Sequence, residues 1–194
     1  MANEDEKTRL LISIQKTIMD IQRSNAESRQ SSADKRLGDA LMEAAEIADK
    51  LVRDTPERSL VFLPEQLLVE MLVRTGALPS HADGLRIEQV RTMHKVVLRV
   101  GRRANILREL GPDGDVSAEL VPSVHHAMQI ARRMGGDVAP FTLLYVPEMI
   151  LATLLMRRAV MLVTKFTDDP DYIEAHNTMD LAARLMVNAK GDSN

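Results

Sequence analysis

Apolar residues recur along this chain at spacings of three and four, the pattern of helices with one buried side. Leu11, Ile14, Ile18 and Ile21 follow a 3-4-3 spacing, the a/d seam of a heptad, within a helix predicted over residues 4–29. The next positions in register, Asn25 and Ser28, are polar. So short a seam predicts a helix that docks on the parent domain or on a partner, and it is the candidate protein interface. The polar stretch Ser24 to Asp34 predicts a hinge.

Beyond the hinge the pattern continues. A helix over 34–53 places Leu37, Leu41, Ala44, Ala45, Ala48 and Leu51 on one side. Asp54-Thr55-Pro56-Glu57 reads as a stop and restart, and Pro64 as the opening of a helix that Gly76 closes. Residues 77–84 read as a loop. A helix over 85–110 ends at Gly111-Pro112-Asp113-Gly114-Asp115, and another over 117–134 ends at Gly135-Gly136. Pro147 starts an apolar helix that runs to Phe166. Thr167-Asp168-Asp169-Pro170 is a capped start for a last helix reaching Asn188. No convincing period-two run predicts a strand. The expected fold is all-α, a single bundle of about six to eight helices over 34–190, with residues 1–30 as an arm.

Composition agrees. Aromatics are only 3% of the chain, and twelve Met with many Leu and Ala suit helix-on-helix packing. Cysteine is absent, which excludes disulfides, thiolate nucleophiles and Cys-ligated zinc. The acidic, polar N-terminus lacks the layout of a signal peptide. The apolar stretch from Phe141 to Phe166 contains Glu148, Arg157, Arg158 and Lys165, which a bilayer span would have to bury at roughly 2.5–3.5 kcal/mol each. A cytoplasmic protein without a membrane partner is expected.

Charge changes the picture. Residues 84–110 carry seven basic side chains against two acidic ones, a net +5 in a chain of net −3, which leaves −8 for the rest. At about 100° per residue, Arg91, Lys95, Arg99, Arg102 and Arg103 share one sector of that helix. Val90, Met93, Val96, Val97, Val100, Ala104 and Leu107 oppose them. Two further pairs, Arg132-Arg133 and Arg157-Arg158, with Lys165, would turn the ridge into a groove if they converge. Clustered cations gain by releasing counterions from a phosphate backbone, and arginine can fork onto one phosphate. Three readings of the stripe stand side by side: a solvated or internally paired face, a nucleic-acid interface, and a site for an acidic protein.

Other chemistry is poorly represented. Asp113, Asp115, Ser117 and Glu119 alternate like a calcium loop, yet Ala118 and Val124 replace the required Gly and Glu. No histidine pair has the i, i+4 zinc spacing. Glu148 follows Pro147 and reads as a first-turn acid favoured by the helix dipole. No P-loop or nucleophile elbow occurs. The connection from Gly76 to Gly84 is too long for a helix-turn-helix, and aromatic stacking platforms are missing. No cofactor, metal or enzymatic activity is expected.

The expected function is a non-catalytic helical subunit of a larger nucleoprotein assembly that grips a phosphate backbone without reading sequence. In size, helicity and basic face the chain is similar to the helical small subunits of CRISPR effector complexes and to accessory proteins of plasmid transfer or phage packaging. That likeness is one of character, carried by no motif. The alternative is a scaffold protein that self-assembles or docks partners through its helices.

Overall fold

The computed structural model describes residues 32–78, 87–108 and 118–191. Among the described residues there are seven α-helices, one 3-10 turn and no strand. They are α1 (Ser32–Asp54), α2 (Glu57–Arg74), α3 (Glu88–Arg103), α4 (Val121–Asp137), α5 (Pro140–Leu143), α6 (Val146–Arg157) and α7 (Pro170–Gly191), with the turn at Val163–Asp168. The all-α bundle expected from periodicity is the observed fold. The 3-4-3 seam, the Ser24–Ser31 part of the hinge, the 79–86 part of the loop and the Gly111–Asp115 breakers lie outside the described residues, as do Asp113, Asp115 and Ser117.

Helix α2 is the centre of the bundle and packs against α3, α4 and α6. It is apolar almost all round, with Leu60, Val61, Phe62, Leu63, Leu67, Leu68 and Leu72 buried, as a helix covered on several sides must be. Helix α6 is similar, buried from Val146 to Met156. The outer helices α1 and α3 are amphipathic and bury one side each, Ala44, Ala48 and Val52 from the first and Val90, Met93, Val96, Val97 and Val100 from the second.

Several boundaries differ from expectation. Pro64 does not open a helix. It lies inside α2, which starts at Glu57 behind Pro56, and tight burial outweighs its missing N–H. The basic helix ends at Arg103, short of residue 110, because Asn105 takes a left-handed conformation (φ 56°). Ile106 N–H then bonds Gly101 O and Asn105 N–H bonds Arg102 O, the paired bonds of a Schellman ending. The apolar helix stops at Arg157 in the same way, with Ala159 at φ 54° and Val160 N–H bonded to Leu155 O. Gly135-Gly136 does not end α4, which continues to Asp137. Gly135 serves close approach: a Cβ there would stand 2.7 Å from Arg74 Nε. The start at Pro170 is as expected. Asp169 is its cap, with its Oδ1 accepting Asp171 N–H at 3.0 Å.

Candidate nucleic-acid interface

Helix α3 sits in a trough between α2 and α7. Its apolar side, Val90 to Ala104, faces the core. On the α2 side, His94 Nδ1 donates to Glu65 Oε2 at 2.8 Å. On the α7 side, Arg99 Nε donates to Asp171 Oδ1 at 2.7 Å, and its Nη2 reaches Glu174. Arg103 donates to Asp169 Oδ2 at 2.6 Å and also to Asp171. The fold thus divides the five-residue stripe. Arg99 and Arg103, themselves partly exposed, tie α3 to the acidic start of α7, while Arg91, Lys95 and Arg102 form an exposed row further from α7.

The division follows from helix geometry. Arg91, Arg102 and Lys95 fall within about 40° of one another, whereas Arg99 and Arg103 lie about 40° and 80° beyond Lys95, toward α7. The side chains of Arg91 and Lys95 make no hydrogen bond or ion pair among the described residues. The row spans about 16 Å from Arg91 to Arg102 at 1.5 Å per residue.

The carboxylates on α7 are strongly held. Asp169 and Asp171 are 8% and 3% exposed, so each needs a cation against it. Burial pushes the Asp169 carboxyl up, but Arg103 and the N–H groups of Asp171 and Tyr172 outweigh it and keep the carboxyl below its usual range. Arg103 is correspondingly raised, its bond to Asp169 outweighing burial.

The other predicted cations do not converge on this row. The backbone carbonyl of Arg132 accepts Arg74 Nη2 at 2.9 Å, at the C-terminal end of α2. Arg158 pairs with Glu57 at the N-terminal end of the same helix, about 25 Å away along its axis. Arg157 donates to Val52 O at 2.7 Å and acts as a brace on the end of α1. The side chains of Arg132, Arg133 and Lys165 are exposed and make no polar contact among the described residues. Because α6 ends at Arg157, Lys165 does not share its helix with Arg157.

Sequence reasoning missed one cluster. Glu148 does stand in the first turn of α6, but it is 1% exposed and its Oε2 lies 2.7 Å from His176 Nδ1 on α7. Tyr172 stacks on His176 at 6.3 Å between ring centroids, with its hydroxyl 3.5 Å from Glu148. A dipole reading explains the carboxylate's position but not its burial. The available signal was an acid inside Val146-Pro147-Glu148-Met149-Ile150-Leu151. Among the described residues, no three His, Asp or Glu gather to hold a metal, and no helix is long and apolar enough to cross a membrane.

No protein-family model matches the chain, and neither a curated protein nor a solved structure shows significant similarity to it.

Proposed function

We propose that this chain is a non-catalytic subunit that holds a nucleic-acid backbone along the outer row of α3. One observation carries the reading. Arg91 and Lys95 stand exposed, in line with the exposed Arg102, on a helix that Arg99 and Arg103 anchor to α7. Anchoring matters because cations on a rigid helix lose little further freedom when they meet phosphates. With only three contacts and an acidic remainder, grip by this face alone is weak, which suits a subunit whose strand is also held by others.

The test is fluorescence polarisation with single-stranded RNA, single-stranded DNA and duplex DNA over a salt series. Three phosphate contacts predict a log–log salt slope of about −2 on single strands and nearer −3 on duplex. Binding should be lost in the triple variant Arg91→Glu, Lys95→Glu, Arg102→Glu, whose thermal midpoint stays near wild type. A wild-type protein that binds none of the three at low salt, or a triple variant that binds as well as wild type, overturns the reading.

The scaffold reading also has a specific observation behind it, an apolar groove beside the C-terminal end of α2.

A further inference from the structure

The groove has a volume of about 410 Å³ and is walled by Met71 of α2, Phe141 and Leu144 around α5, and Met186 and Val187 of α7. Phe141 and Val187 are 47% and 69% exposed. Phe141 is held edge-on to Tyr145 with ring centroids 5.7 Å apart, so the wall is preformed. We infer that the groove is the seat of the chain's own N-terminal segment, which lays Leu11, Ile14, Ile18 and Ile21 against it in cis.

The course of α1 brings the segment to this place. Thr142, between the groove residues Phe141 and Leu143, donates to Glu43 Oε2 at 2.6 Å. Arg157 bonds Val52 O, so α1 runs alongside α6 and in the same direction. Going back from Glu43, the N-terminal turns of α1 project past the Thr142 end, with Ser32 about 16 Å beyond. The C-terminal turns of α7 project past the same end, because Glu148 meets His176 and Val187 lies three turns further on. Residues 1–31 therefore join the bundle at the groove's end of the molecule.

Reach and concentration favour the cis occupant. Ile21 and Ser32 are eleven residues apart in sequence, a tether of up to about 36 Å when extended. A short tether presents its ligand at an effective concentration of order millimolar, far above a second copy at micromolar protein.

The absence of cysteine makes the test direct. Full-length proteins carrying Val187→Cys together with Ile14→Cys or Ile18→Cys are treated with a short bismaleimide at micromolar concentration. The control carries Ile18→Cys with Lys50→Cys, an exposed site toward the far end of α1. Intramolecular cross-linking several-fold above the control supports the inference. A covalent dimer would make the occupant a second copy, and yields equal to the control would leave the segment undocked; either overturns it. Independently, Ile14→Asp with Ile18→Asp in the cysteine-free chain should raise the fluorescence of an apolar-surface dye several-fold while helicity is retained. Unchanged dye binding overturns the inference equally, whatever the outcome of nucleic-acid binding.

Discussion

Glu148 and His176, twenty-eight residues apart, form a carboxylate–imidazole pair, buried on the carboxylate side, that links α6 to α7 at 2.7 Å. Burial pushes the Glu148 carboxyl above its ordinary range against the pull of His176. The bond to Glu148 raises His176 against its own burial, with Asp180 adding to the effect. Glu65 raises His94 in the same way across α2 and α3. Two helix pairs, α6 with α7 and α2 with α3, are thus each linked by a histidine–carboxylate hydrogen bond.

Stability should fall as pH rises through neutrality. A group raised on folding binds its proton more tightly in the native state, so its stabilisation is complete below its unfolded pKa and is lost through its folded one. For His94 and His176 that loss begins above the ordinary histidine value of 6.5. Raised Glu148 acts in the same direction from 4.5 upward, whereas lowered Asp169 protects only until pH falls below 3.8. The thermal midpoint should therefore be highest in mildly acidic buffer and decline from pH 6.5 to 9. Glu148→Gln should return the NMR titration of His176 toward 6.5 and flatten part of that decline. An unmoved His176 titration would contradict the assigned coupling.

Substitutions along the stripe should separate anchoring from exposed residues. Arg103→Ala leaves Asp169 buried without its cation and Asp171 with Arg99 alone, and should cost about 2 kcal/mol. That figure is set below the fully buried range because the Arg103 side chain is 33% exposed. Arg91→Ala and Lys95→Ala should stay within about 0.5 kcal/mol of wild type. Urea unfolding of the three variants checks the ranking, and equal losses would refute the division of the stripe.

Ala159→Gly should stabilise the protein. Ala159 ends α6 at φ 54°, a conformation that costs a β-carbon about 1–2 kcal/mol. Glycine avoids the strain but gives back about 0.5–1 kcal/mol of unfolded-chain entropy. A net gain of about 0.5–1 kcal/mol follows, read as a rise in the urea midpoint with unchanged slope. A loss of stability would mean that the left-handed ending is not formed in solution.

Gly101→Ala should do the reverse, although alanine is the better helix former. A methyl group there would lie 2.6 Å from Leu107 Cγ and 3.2 Å from Val61 Cγ1, both buried. Displacing Leu107 from the core should cost about 1–3 kcal/mol. A stabilised variant would show that the turn after α3 yields more easily than its contacts imply.

What the sequence determined by itself was local. The 3.6-residue period of Val90, Met93, Val97 and Val100 specified a helix with its inner side, and Asp169-Pro170 specified where α7 begins, because periodicity and capping act within a turn or two. The angular order of Arg91, Lys95, Arg99, Arg102 and Arg103 was equally legible. Only the tertiary structure decided which of them pair. Asp171 approaches Arg99 from seventy-two residues away, and Glu148 finds His176 in a helix whose own pattern gives no sign of it. Helix endings also escaped a reading by breakers. Asn105 and Ala159 stop their helices well before the prolines and glycines that promise to, since packing of Leu107 and of the 3-10 turn fixes where the chain must turn back. Charge pairing and chain reversal depend on distances between elements, and sequence spacing carries no information about those distances.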